Sequence, residues 1–156
     1  MANLRHTLTT KKLNDISKLV YEAKDKAIQE VLKEGKEKLK NKVQSDWYNT
    51  YSPLFYNRTN EILESVSSDM VDSDTVKIYY DYGKVGAASG NGWNIHESFD
   101  GSPFDGIKMV RSVEFGMGVG VATNPRNGED GVEGLDEVRK WAKKEAKKIV
   151  KKYIKL

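Results

Sequence analysis

The sequence predicts an α+β fold: a long N-terminal helix, a small, mostly antiparallel sheet with glycine-rich loops, and a C-terminal helix packed on the sheet. Three observations lead there. Apolar residues recur at spacings of three and four over residues 11–47 and again over 133–154, which is the helical period. Between these stretches Val76, Ile78 and Tyr80 alternate with Lys77, Tyr79 and Asp81, which is the period of a strand. Finally, 12 of the 13 glycines fall between Gly83 and Gly134, where tight turns between short strands call for residues free to take unusual backbone angles. A chain of 156 residues is long enough for one hydrophobic core, so a single domain over residues 11–156 is expected after a flexible N-terminus at 1–10.

The first helix is expected over residues 11–47, with Thr9 or Thr10 as its cap. Ile16, Val20, Ala23, Ala27, Val31, Leu39, Val43 and Trp47 form one apolar stripe, Gly35 fills the missing turn, and Lys, Glu, Gln and Asp occupy the rest of the circumference. At 1.5 Å per residue such a helix is roughly 50 Å long. That exceeds the diameter of a compact domain of this size, so part of the stripe is expected to leave its own domain and meet another subunit. Gly35 costs about 1 kcal/mol of helix propensity against alanine and marks either a bend or a close contact.

An aromatic arm follows at 48–58. Pro53 forces Ser52 out of helical geometry and so ends the first helix before it. A short helix is expected over 59–68, capped by Thr59 or Asn60 and carrying Ile62, Leu63 and Val66. The sheet with its loops then spans 75–124, with strands at 76–82, 93–98, 108–115 and 117–122. The last two form either one strand bent at Gly116 or the two arms of a hairpin. The C-terminal helix covers 133–154. Its inner face is Leu135, Val138, Ala142, Ala146, Ile149 and Tyr153, and its acids lie in the first turns and its lysines in the last, as the helix dipole favours.

Chemistry is sparse. The chain has no cysteine and two histidines, His6 and His96, which excludes disulfides, thiol catalysis and a three-histidine metal centre. Glycines at 83–92 and 116–120 lack the Lys-Ser ending of a phosphate loop and the strand-turn-helix setting of a dinucleotide fold. The expectation is therefore no catalytic residue, no cofactor and no metal. No stretch approaches eighteen apolar residues, so no membrane partner is expected either.

Charge is unevenly placed. Residues 1–48 carry 11 Lys+Arg against 7 Asp+Glu, residues 49–132 carry 6 against 12, and residues 133–156 carry 9 against 4. Lys143, Lys147 and Lys151 in the basic C-terminal helix are candidates for non-specific contact with packaged DNA. Lysine outnumbers arginine there, which disfavours base-specific reading. Trp47, Tyr48, Tyr51, Phe55 and Tyr56 gather five aromatic rings within ten residues. They suit an interface centre, or a plug between the long helix and the sheet.

The order of the pieces resembles the tail-component and tail-completion (neck) proteins of tailed bacteriophages, the group named after the tenth gene product of phage HK97. The likeness is carried by Thr59, Asn60, Glu61, Ile62, Ser65 and Val66, by Val113-Glu114-Phe115-Gly116, and by Tyr51-Ser52-Pro53 through Tyr56 to Arg58-Thr59. Asn60 stands where members carry glycine, and asparagine also tolerates unusual backbone angles. The resemblance implies a non-enzymatic virion protein that forms a homo-oligomeric ring at the head-to-tail junction. Its implied partners are copies of itself, a head connector or adaptor protein and a tail-tube or tail terminator protein. It would be located in the virion neck, and in the host cytoplasm during assembly. The interface set expected on this reading is Trp47, Tyr48, Tyr51, Phe55, Tyr56, Arg58, Thr59, Trp93, Glu114 and Phe115. The alternative is a basic-helix nucleic-acid-binding module or another phage structural module such as a minor capsid protein.

Overall fold

The structure, a computed structural model, describes residues 10–50, 60–85, 106–116 and 131–153. The expected N-terminal tail up to residue 9, the arm from Tyr51 to Thr59, and the candidate strands at 93–98 and 117–122 lie outside the described residues.

Helix α1 runs unbroken from Thr10 to Val43, so Gly35 does not bend it. The glycine serves close approach instead. A Cβ at this buried position would overlap the end of the Ile78 side chain and lie 3.2 Å from Trp141 Cζ3. The helix continues into a π-helical turn, Gln44–Tyr48, closed by the Asn49 amide donating to the Gln44 carbonyl at 2.9 Å. The wider turn shifts the stripe by one residue. Tyr48, five residues after Val43, becomes buried, while Trp47, four residues after it, is half-buried.

Helix α2 is Glu61–Ser65 and strand β1 is Val66–Met70, which corrects the expected helix at 59–68. Asn60 sits at the N-cap in a left-handed conformation, φ 60°, and makes no side-chain capping bond. Ser65 turns its hydroxyl back to the Ile62 carbonyl at 2.7 Å. Val66 then becomes extended and opens an antiparallel hairpin with β2, Val76–Tyr80, in the register Val66↔Tyr80 to Met70↔Val76. Ser67, Ser68 and Asp69 have little strand preference of their own. Their pairing with β2 and the burial of Val66 decide the outcome. In β2 the predicted inner face holds: Tyr80 is buried, Val76 and Ile78 are half-buried, and Lys77 is exposed.

Residues 106–115 form helix α3, Gly106–Phe115, where a strand was expected over 108–115. The β-branched Val110 and Val113 favour a strand by composition. Tertiary contact selects the helical spacing instead, which buries Val110, Val113 and Glu114 on one face and leaves Ile107, Arg111 and Phe115 exposed. Gly106 lets α3 start against the carbonyls of Tyr82 and Val85, each 2.6 Å from where a Cβ would stand. Helix α4, Gly134–Tyr153, packs mainly along α1. Glu137 meets Lys38 and Lys42, while Lys152 meets Glu30, so the two helices run antiparallel. The sheet and α4 meet over Gly35, through Ile78 and Trp141.

Two groups of buried side chains result. The larger joins Leu39, Val43, Tyr48, Ile62, Val66, Tyr80, Val85, Val110, Val113, Val132 and Val138, drawn from every helix and both strands. The smaller, Ala27, Val31 and Ile149, seals the α1–α4 seam.

Candidate interaction surfaces

The second half of α1 is covered and the first is not. Helix α4 ends its described course beside Glu30, where Lys152 bonds that carboxylate at 2.9 Å and the Tyr153 hydroxyl also donates to it. The hairpin tip reaches slightly further, pairing Asp74 with Lys24 and setting Gln29 Nε2 3.7 Å from Met70 Sδ. Beyond these contacts, residues 11–22 are exposed on every side. Leu13, Ile16 and Val20 remain 50%, 42% and 38% exposed, although they continue the row that is buried from Ala23 onward. Leu19 and Tyr21 add apolar area beside them, and Met70 and Val71 do so at the hairpin tip. The stripe signalled this surface for Ile16 and Val20. Leu13, three residues before Ile16, extends the same row by one turn beyond the expected stripe, and the hairpin tip has no sequence signal beyond its two apolar residues.

The outward face of α4 carries the second surface. Between Arg139 and Lys152 basic residues come in adjacent pairs every four positions, and Glu145 is the one acid among them. Arg139 and Lys140 bond Asp136 at 2.7 Å, Lys148 bonds Glu145 at 2.9 Å, and Lys152 bonds Glu30. Lys143 and Lys147, with their neighbours Lys144 and Lys151, are exposed and have no ionic partner among the described residues.

The expected interface set is dispersed. Tyr48 lies in the main core and Trp47 packs against it, which fits the plug reading of these two rings. Tyr51, Phe55, Tyr56, Arg58, Thr59 and Trp93 lie outside the described residues. Phe115 is 76% exposed at the end of α3. Glu114 is buried: its carboxylate accepts from the Tyr80 hydroxyl and, at 3.2 Å, from the Leu135 amide at the start of α4. Its backbone carbonyl accepts from the Glu133 amide at 3.1 Å, and that of Val113 from the Val132 amide at 2.7 Å. The residue thus ties β2, α3 and α4 together, with its side-chain oxygens at the amide end of α4. Helical spacing from Val110 and Val113 would have revealed its inward position.

Polar pairs fasten the rest. Hydrogen bonds from Tyr153 and then Lys152 hold the Glu30 carboxyl below its ordinary value. Lys38, and then Lys42, do the same for Glu137. The Asp46 partner raises Lys42, and burial, followed by the bond to Glu114, pushes the Tyr80 phenol well above its usual range. An open depression of about 560 Å³ lies between α1 and α4, lined by Lys38, Lys42, Ser45, Glu137 and Trp141 among others. Within it Lys38 and Lys42 already pair with Glu137 across the helix seam.

Residues 12–155 match the family model described as YomN. The chain therefore belongs to the YomN family. That is a phage-derived protein name, and it associates the chain with bacteriophage. No curated protein and no solved structure matches it.

Proposed function

We propose that this member of the YomN family is a non-enzymatic structural protein of the phage particle, which joins copies of itself into a ring at the head-to-tail junction. The observation that carries the proposal is the overhang of α1. A helix of 34 residues is covered along its second half and presents a continuous apolar row on the first, which the other described residues leave exposed. Exposed apolar patches of this kind mark association surfaces. The overhang and the packed body are different surfaces, so a contact between them is head-to-tail, and repeated contacts of that type close into rings when the rotation permits. The motifs at 51–66 and 113–116 support the location at the neck, as does the phage association of the family. In this reading the ring contacts a head connector or adaptor on one side and a tail-tube or terminator protein on the other, in the virion and, during assembly, in the host cytoplasm.

The test is sedimentation mass together with negative-stain imaging of the purified chain, alone and mixed with heads and tails of the same phage. Wild type forms a closed ring, or binds the junction of heads and tails. Ile16→Asp does neither, while its helical circular dichroism is unchanged. A wild type that stays monomeric and binds neither heads nor tails refutes the proposal.

A further inference from the structure

We propose that the outward face of α4 is a non-specific binding surface for duplex DNA, carried by Lys143, Lys144, Lys147 and Lys151. This goes beyond the ring assignment and does not depend on it. The other four basic residues of this stretch are neutralised by Asp136, Glu145 and Glu30. These four are exposed and have no ionic partner among the described residues. They also stand three and four residues apart, Lys143 above Lys147 and Lys147 above Lys151, with Lys144 beside Lys147. Like charges at those spacings repel across the helix surface and destabilise it. An anionic partner laid along the face removes that repulsion.

The chemistry of the face points to a polyanion with regularly spaced charge. From Lys143 to Lys151 the helix rises about 12 Å, a length over which duplex DNA presents about seven phosphate charges. Lysines act as point charges on flexible stems and lack the planar fork that reads bases or grips phosphates in a fixed geometry. The face therefore suits sequence-independent contact. Single strands are the poorer match, because they are held by stacking on exposed rings. The aromatic residues of α4 are not available for this: Trp141 packs against the core and the Tyr153 hydroxyl is bonded to Glu30. The apolar side of α4 is closed against α1, so the lysine face is the side left for a ligand.

The experiment is a fluorescence anisotropy titration of a labelled mixed-sequence duplex with the full chain, at salt concentrations from about 50 to 200 mM. Four phosphate contacts give a slope of about −3.6 in log affinity against log salt, an affinity loss of about 150-fold over that range. The combined variant Lys143→Gln, Lys144→Gln, Lys147→Gln and Lys151→Gln loses most of the affinity and the slope. A control with the same change in net charge, Lys11→Gln, Lys18→Gln, Lys26→Gln and Lys33→Gln on the exposed side of α1, keeps both. Equal losses in the two variants, no binding by wild type at the lowest salt, or tighter binding to a single strand of the same length would each overturn the proposal. Mass measured in the same buffer keeps the two readings apart. A monomer that binds DNA in this way but binds neither heads nor tails refutes the ring and leaves the surface standing, whereas a ring that fails to bind refutes the surface alone.

Discussion

Leu39 and Ile16 sit on the same helix, and both belong to apolar rows that sequence periodicity cannot tell apart, yet truncating them is predicted to have opposite consequences. Leu39 is fully buried, in one cluster with Val43, Tyr80, Val113 and Val138, and its Cδ1 would stand 2.6 Å from a Cβ added at Gly134. Around it α1, α3, α4 and β2 converge, so little can collapse into the space that Leu39→Ala leaves. The expected cost is about 3 kcal/mol, the lost transfer energy plus the cavity. For a chain of this length that lowers Tm by about 6–12 °C. Ile16 is 42% exposed and is covered by no other element among the described residues, so Ile16→Ala changes stability by less than about 0.5 kcal/mol, and the better helix propensity of alanine offsets part of that. Urea titrations followed by circular dichroism, at dilutions where the measured mass is that of a monomer, compare the two. Similar losses at both positions would refute the division of α1 into a packed half and an overhang.

Other predictions follow from the buried polar contacts and close approaches. Tyr80→Phe leaves the buried Glu114 carboxylate short of one donor and costs about 1.5–3 kcal/mol in urea titrations near neutral pH. The same variant reports on alkaline pH. The folded phenol is raised above its ordinary value of 10.0, so its contribution is fully present below about pH 10 and is lost as pH rises beyond it; Tyr80→Phe removes that component of the alkaline decline. At acid pH the sign reverses for Glu30. Its folded carboxyl lies below the ordinary 4.5, so the α1–α4 clamp is intact above that pH and weakens as pH falls through the lowered value. Glu30→Gln flattens the stability profile in that window, and an unchanged profile would discount the clamp. Gly131→Ala drives a Cβ into the backbone carbonyl of Glu114 and costs about 1–3 kcal/mol, read as a lowered Tm; a neutral result would contradict the close junction of α3 and α4.

The elements legible in the sequence are those whose own period is long. Helix α1 repeats its apolar row over about nine turns and α4 over about five, enough to reveal both helices and the overhang, since a helix that long has to outrun its domain; that α4 lies antiparallel along α1 emerges only from the contacts of Glu137 and Lys152. Strand β2 alternates cleanly and was equally plain. Helix α3 reads locally as a strand because valine favours strands when nothing else decides, and here Val110, Val113 and Glu114 are selected by what they pack against. Strand β1 left almost no trace, since Ser67, Ser68 and Asp69 are extended only because β2 offers a ladder to complete. Of the surfaces, the lysine face of α4 could be read from composition and spacing. The inward position of Glu114 is legible once residues 106–115 are read with a helical period, but its partners are not, because Tyr80 and Leu135 arrive from 34 and 21 residues away.

The central claim concerns a place in a particle, and immunogold labelling of intact purified phage with antibody to this chain tests it most directly. The account predicts gold at the head-to-tail junction, with several copies of the chain per particle by quantitative mass spectrometry. Particles that lack the chain, or that carry label only on the capsid shell or the distal tail, would contradict it.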